Sequence, residues 1–373
     1  MKYYIIAGEA SGDLHGAGLM KALRKHDGAA QFRVWGGERM AAEGGTLVRD
    51  CRDGAVMGVV EVLRKAGTIR RNLAFCKEDI AAWKPDAVIL VDYPGFNLRI
   101  ARFARWLGIK VFWYIAPKVW ATRERRVRKL RKYVDRLVVI FPFEKEYFHR
   151  HGIDAFYAGN PLVDSVAETP LERDGLPDKP YIALLPGSRM MEVSRTMPVF
   201  LELEKQMASS GLKDYGLVVA AAPSVDSSVY EEYMKGSSIR LVRGHTLSVL
   251  KHSAAAVIDS GTASLEASLL DVPQVVVYAM HPLSYRLAKL MLRTKYVSLV
   301  NLILDRPVVE ELLQKNCNAG KITAGLESLL LDGDRRRAML KDYETLRKLL
   351  GEGGAADRAA EEMLRSLKAS FEE

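Results

Sequence analysis

From its first residues the chain alternates short apolar runs with longer amphipathic stretches. YYIIAG (3–8), FRVWG (32–36), AVILVD (87–92), KVFWYIA (110–116) and RLVVIF (136–141) read as buried strands. Between them, 14–26, 68–82 and 97–107 carry apolar positions at helical spacing. Strands apolar on both faces, separated by helices, predict a parallel sheet covered on both sides. The pattern breaks at NPLVDSVAETPLERDGLPDKP (160–180), rich in proline and charge, which reads as a linker. A second series then begins: YIALLP (181–186), YGLVVAAA (215–222), SIRLVRG (238–244), AAVIDS (255–260) and QVVVYAM (274–280), with helices from about 320 to 371. The expectation is two α/β domains, 1–165 and 181–350, joined by 166–180. A last helix, 351–373, packs back on the first domain or on a partner subunit. Ligands of such sheets bind beyond the carboxyl ends of the strands, and the cleft between two facing domains is the default site.

The length of 373 residues allows a sizeable core in each domain. Hydrophobic residues at 49% and charged residues at 27% are the balance of a globular protein rather than a disordered or membrane-spanning one. No apolar run approaches the roughly 20 residues of a spanning helix, and MKYYIIAGEASGD reads as a first strand rather than a leader. Cys51, Cys76 and Cys317 are odd in number and match no metal-ligand spacing, so a reducing compartment fits better than a disulfide framework. Charge changes the picture more. Residues 1–160 hold 29 Lys/Arg against 17 Asp/Glu and the remainder 26 against 29, so the net +9 is concentrated in the first domain. The densest run is TRERRVRKLRKYVDR (122–136). Nucleic acid, an anionic membrane surface, a phosphorylated substrate or a plain solvated helix face would each account for it. AVMGVVEVLRKAGTIRR (55–71), apolar first and basic later, fits either a segment lying on a bilayer or a helix packed on the sheet.

Four predicted strand ends carry candidate chemistry. IAGEASGDLHGAG (6–18) is a Gly-rich strand-to-helix turn that is not GxGxxG. Its Glu9 and Asp13 would repel phosphate, so with Ser11 they point to substrate hydroxyls. LLPGSRMMEV (184–193) opens a helix at Gly187, Ser188 and Arg189, where free amides and a guanidinium suit a diphosphate. The bland alternative is Ser188 as a simple N-cap. VIDSGTASLEASLLDVP (257–273) offers Ser260, Gly261 and Thr262 for close backbone approach, with Glu266 one turn on for a ribose. VILVDYPGFN (88–97) sets Asp92 at the end of a strand, either as a turn-former or as a base held rigidly towards an acceptor hydroxyl. His245 and His281 lie near strand ends without a ligand pattern. No HExxH, CxxC, GxSxG or P-loop occurs.

At these residues the chain strongly resembles the lipid-A-disaccharide synthases. The matching blocks are AGEASGD (7–13), AVMGVVEVL (55–63), KPDAVILVDYPGFN (84–97), PKVWA (117–121), FPFEKEYF (141–148), LLPGSR (184–189), SGTASLEA (260–267) and KYVSLVNLI (295–303), in order over nearly the whole chain. The resemblance implies a GT-B fold with two Rossmann-like parallel-sheet domains facing a cleft. It implies UDP-2,3-diacylglucosamine as donor and 2,3-diacylglucosamine 1-phosphate (lipid X) as acceptor, giving a β-1,6-linked disaccharide 1-phosphate and UDP. The site residues it implies are Asp92 as base, Arg189 on the leaving diphosphate, Asn301 for donor contact, and the Ser260–Gly261–Thr262 turn with Glu266 for UDP; Asn97, in the same block as Asp92, is a further substrate-binding candidate. It implies work at the cytoplasmic face of the inner membrane without spanning it, with no nucleic acid, no cofactor and no metal. A homodimer is compatible with it.

The chain also departs from the family pattern. Gly95 stands where Asp is frequent, Thr122 where Trp is, Asn160 where His is, and Met190-Met191 where Gly-Ala is. Two competing expectations remain: another GT-B enzyme such as a UDP-N-acetylglucosamine 2-epimerase, and a phospholipid- or RNA-binding protein that uses the basic run. A binding protein would sediment with anionic vesicles or RNA but release no UDP.

Overall fold

The computed structural model describes residues 1–51, 66–282, 285, 286, 289 and 294–371. The chain divides into two compact units, Met1–Pro161 with Gly353–Glu373, and Leu162–Glu352. Most of the amphipathic segment 55–71 lies outside the described residues. Among the described residues no helix is long and apolar enough to cross a membrane.

The first unit holds seven strands: β1 (Lys2–Ala7), β2 (Gln31–Gly36), β3 (Thr46–Asp50), β4 (Ala87–Val91), β5 (Lys110–Tyr114), β6 (Arg136–Val139) and β7 (Ala155–Tyr157). They pair in parallel in the order β3-β2-β1-β4-β5-β6-β7. The central strands are buried on both faces, which is why β4 reads as the unbroken apolar run AVILV. One face carries Tyr3, Ile5, Ile89 and Phe112, and the other carries Tyr4, Ile6, Leu90 and Trp113. The last helix, Ala355–Phe371, lays Ala359, Ala360, Met363 and Leu367 on the first of these faces, against the helix Ala10–His26.

The second unit holds β8 (Tyr181–Leu185), β9 (Gly216–Ala221), β10 (Arg240–Arg243), β11 (Ala255–Asp259), β12 (Gln274–Tyr278) and β13 (Glu310–Leu313). Their order is β10-β9-β8-β11-β12-β13, again parallel. Part of the proline-rich stretch is ordered here. Pro161–Glu168 is a helix, and Val166, Leu171 and Leu176 pack on the core of this unit. Three strands escaped the pattern reading: β3, β7 and β13. Each is a short edge strand, and TLVRD and EELL carry charge that blunts apolar periodicity.

In both sheets the order in which successive strands are added reverses at the middle, between β1 and β4 and between β8 and β11. A ligand crevice forms outside the carboxyl ends of strands at such a reversal. All four sequence motifs lie at these two points.

Candidate active site

In the first unit, Val91 ends β4 and the helix Pro94–Trp106 begins after a two-residue turn. Asp92 (φ 42°) and Tyr93 (φ 47°) are both left-handed. Consecutive non-glycine residues in that region cost about 1–3 kcal/mol each and persist only where the surroundings impose them. Two features impose them here. Asn97 Nδ2 donates to the carbonyl oxygens of Asp92 (2.9 Å) and Val91 (3.3 Å), bolting the helix to the end of the strand. The Tyr93 ring lies over Gly8 at the end of β1, where an added Cβ would stand 2.3 Å from the ring. Gly8 is therefore a close-approach position, and Tyr93 stacks further on Phe96 at 5.4 Å.

The turn holds the Asp92 carboxylate out at the rim. It is exposed, yet the surrounding walls withhold enough solvent to raise its pKa above the ordinary value. Lys118 pulls it down and Glu9 pushes it up again. Glu9 and Ser11 are exposed beside it. Asp13 is not: it is buried, and its carboxylate accepts from the amides of Gly37 (2.6 Å), Arg39 (3.1 Å) and Met40 (3.1 Å). The expectation that Asp13 meets substrate is corrected, because its oxygens cap the short helix Glu38–Ala42. Asn97 is corrected likewise: fully buried, it shapes the turn that carries Asp92 and does not face a ligand.

The rim beyond Asp92 contains residues the sequence reading passed over. Trp120 Nε1 donates to Glu144 Oε1 at 2.9 Å, and Glu144 Oε2 accepts from the amides of Ile140 (3.2 Å) and Phe141 (3.0 Å). Burial raises the Glu144 carboxyl to about 7 against the pull of these donors and of Lys118. This buried link ties the loop after β5 to the turn after β6 and holds Lys118 at the rim. The signal was present in the blocks PKVWA and FPFEKEYF, but nothing in the residue pattern joined them. His15 lies on the helix after β1, and burial lowers its pKa to about 4, so the ring is neutral.

In the second unit, β8 runs into Pro186, Gly187, Ser188 and Arg189, and the helix Met190–Met207 follows. The amides expected to bind an anion already hold one. Glu192 Oε2 accepts from Ser188 N (2.9 Å) and Arg189 N (3.1 Å), and Oε1 accepts from Arg189 Nη1 (3.1 Å). Gly187 (φ 105°) admits this closure: an added Cβ would stand 2.5 Å from Glu192 Cβ and 2.9 Å from Asp259 Oδ2. Asp259, the last residue of β11, is 4% exposed, and neither carboxylate oxygen has a hydrogen-bond partner. Burial first, and the Glu192 charge second, raise it to about 8 against the pull of Arg189. Near neutrality it is therefore mostly an uncharged acid.

The turn after β11 leaves Gly261 and Thr262 exposed, with Ser260 Oγ donating to the Val297 carbonyl at 3.1 Å. Glu266 follows one turn on. Burial raises its pKa, and among the described residues its carboxylate has no hydrogen-bond partner. Asn301 is placed differently from expectation. Its Oδ1 accepts from Val308 N (2.8 Å) and Val309 N (2.9 Å), while Nδ2 donates to Val309 O and Glu311 Oε1, both at 2.9 Å. Every polar atom of this buried amide is engaged, so Asn301 shapes the bend before β13 and a direct donor contact is corrected. His245 and His281 are exposed.

So the first unit brings Glu9, Ser11, Asp92 and Lys118 to one reversal point. The second brings Gly187, Ser188, Arg189, Ser260, Gly261, Thr262 and Glu266 to the other.

Comparison with known proteins adds the family. Among solved structures, the chain resembles a Staphylococcus aureus MnaA–UDP co-structure (TM-score 0.68, 14% identity, covering 100% of this chain and 97% of that one). The calicheamicin glycosyltransferase CalG4 gives a TM-score of 0.62 at 16% identity, covering 98% of both chains. At these identities the likeness speaks for the GT-B fold alone. Sequence relatives are nearer. A lipid-A-disaccharide synthase of Myxococcus xanthus is 42% identical, covering 97% of both chains, and that of Syntrophus aciditrophicus is 38% identical, covering 98% of both. The family model for lipid-A-disaccharide synthetase matches residues 3–365, and the chain belongs to that family of GT-B hexosyltransferases.

Proposed function

We propose that in this chain Asp92 activates the acceptor for the family's glycosyl transfer. The 2,3-diacylglucosaminyl group of UDP-2,3-diacylglucosamine goes to the 6-hydroxyl of lipid X. As the acceptor oxygen bonds to the anomeric carbon, its proton passes to the Asp92 carboxylate and the bond from that carbon to the diphosphate breaks. An α-linked donor and a β-1,6-linked product require one inverting displacement, so no covalent nucleophile is needed. The observation that carries the proposal is the turn itself. Two left-handed residues, a buried asparagine bolt and a ring stacked on glycine hold one carboxylate out at the reversal of the sheet. A turn-former alone would not call for that support.

Arg189 and the amides of Ser188 and Arg189 receive the departing diphosphate. For this, Glu192 must yield its place to the ligand, which its i,i+3 position on an exposed helix end permits. Gly261 and Thr262 admit the UDP phosphates closely, and Glu266, without a protein partner, takes the ribose hydroxyls. Both substrates are amphipathic, so the chain works at a membrane surface as a peripheral protein on the cytoplasmic side. The basic first unit favours an anionic surface.

The test is UDP release and disaccharide formation from the two named substrates in detergent, comparing wild type with folded Asp92→Asn. A loss of about 100-fold or more in kcat/KM is expected. In the wild type, kcat/KM should climb with pH through a value above the usual carboxylate pKa of about 4, because the base acts only when ionised and its pKa is raised. Robust turnover by the variant would return Asp92 to the role of turn-former.

A further inference from the structure

On the helix that follows Asp92 and on the turn leading into the helix packed against it, the first unit gathers three arginines that make no ion pair among the described residues. Arg99 lies in the helix that Asp92 precedes, and its Nη1 donates back to the Gly95 carbonyl, so the guanidinium sits beside the first turn. Arg123 (φ 59°) opens the short turn Glu124–Arg126, and the helix Val127–Tyr133 that follows packs against Pro94–Trp106. This packing brings Arg126 against Arg99. Arg126 is half-buried, and burial, then the charges of Arg123 and Arg99, lower its pKa. The nearby Glu124 does not relieve them, since its Oε1 bonds His151 Nε2 at 3.0 Å. Among the described residues none of the three arginines has an ion-pair partner.

A half-buried guanidinium facing two others is unfavourable unless an anion joins them. Planar guanidiniums converging from two elements suit a phosphate, whose oxygens accept several charge-assisted bonds at once. There is room for it: a Cβ added at Gly95 would meet nothing within 4 Å. Pro94 to Arg99 spans about 7.5 Å along the helix axis, at 1.5 Å per residue, and the Arg99 side chain folds back over part of it.

We propose that Arg99, Arg123 and Arg126 bind the phosphomonoester of the acceptor, at the opposite end of its glucosamine ring from the 6-hydroxyl presented to Asp92. This rests on the reaction proposed above. It also makes the arginines the means by which the chain selects a phosphorylated acceptor and fixes its orientation. The alternative source of the same phosphate chemistry is the headgroup of an anionic phospholipid.

The test measures binding without turnover, so that it stands apart from catalysis. The probes are 2,3-diacylglucosamine 1-phosphate and the same lipid lacking its phosphate, each in neutral detergent micelles. Wild type should bind the phosphorylated lipid at least about tenfold more tightly, the scale of one or two hydrogen bonds to a charged group. Arg126→Gln and Arg99→Gln, with melting curves like the wild type's, should erase most of that difference and leave binding of the phosphate-free lipid and of UDP unchanged. Arg126→Lys should keep part of it. In the kinetic assay the same variants should raise acceptor KM and leave donor KM within about twofold. Sedimentation with phosphatidylglycerol vesicles separates the two sources. Variants that lose vesicle binding but keep full discrimination between the two probes would overturn the proposal in favour of a bilayer contact. Equal weakening towards both probes would overturn it in favour of a structural role. Loss of discrimination in an enzyme that makes no disaccharide would support the phosphate site and count only against the reaction.

Discussion

The two units share a strand order and set an aspartate at the same place in it, yet they treat that aspartate in opposite ways. β4 and β11 are the strands beside the reversal in their sheets; Asp92 follows the first and Asp259 ends the second. Asp92 is displayed on a left-handed turn, exposed, with Lys118 opposing the rise in its pKa. Asp259 points under Gly187 with both oxygens dry and the Glu192 charge close by, which raises it to about 8. Equivalent topology therefore places a carboxylate, while solvent and neighbouring charge decide whether it is displayed at the rim or held as a neutral acid.

The sharpest way to break this comparison is one substitution made twice. Asp92→Asn should cost the 100-fold or more named above. Asp259→Asn, which replaces a largely protonated acid by a neutral group of its shape, should leave kcat/KM at neutral pH within about threefold. Its effect should appear in stability instead. Because folding raises the Asp259 pKa from 3.8 to about 8, the folded state holds a proton that the unfolded state releases. The wild type is thus fully favoured below the unfolded value and loses that contribution as pH rises towards 8. Thermal melts should show Asp259→Asn gaining on wild type between pH 5 and 8. Equal slopes would mean the buried aspartate does not hold its proton.

The asparagines extend the contrast. Asn301→Ala leaves the Val309 amide unpaired in a buried bend. It also takes a side-chain partner from the Val308 amide, which keeps its bond to the Arg306 carbonyl, and from the Val309 carbonyl. A loss of about 1–3 kcal/mol in denaturant titration is therefore expected, with donor KM little changed in protein that remains folded. A large rise in KM at unchanged stability would restore Asn301 to the donor site. A smaller effect concerns Glu192, which holds the amides proposed to receive the diphosphate. Glu192→Gln should weaken the helix cap by about 1 kcal/mol and tighten UDP binding a few-fold by calorimetry. Weaker UDP binding would show that Glu192 helps shape the site rather than occupying it.

Much of this was legible in the residues. Central strands are apolar on both faces and need no partner to be recognised, so β1, β4, β5, β8, β11 and β12 stood out, and with them the four strand ends that carry polar groups. Of the four edge strands only β10, within SIRLVRG, was legible; β3, β7 and β13 were not, because half an edge strand's backbone faces solvent and charges such as those of EELL are tolerated. The site was legible only to the level of motifs. Asp13 and Asn97 sit in the right blocks but turn inward to serve the backbone, and a one-dimensional pattern does not tell a capping carboxylate from a displayed one. Trp120 and Glu144 are 24 residues apart in sequence and bonded at 2.9 Å in space.

The sequence by itself determined the two parallel sheets, the strand ends that bear chemistry and the membership in a glycosyltransferase family. These follow from local periodicity and from blocks of contiguous residues. Tertiary structure alone decided which carboxylates keep their charge, which amides are already capped and which arginines face one another. It also decided that the last helix returns to cover Tyr3 and Ile5 of the first sheet. Those outcomes depend on burial and on charges brought together from distant parts of the chain, and solvent exclusion is a property of the packed molecule rather than of any segment.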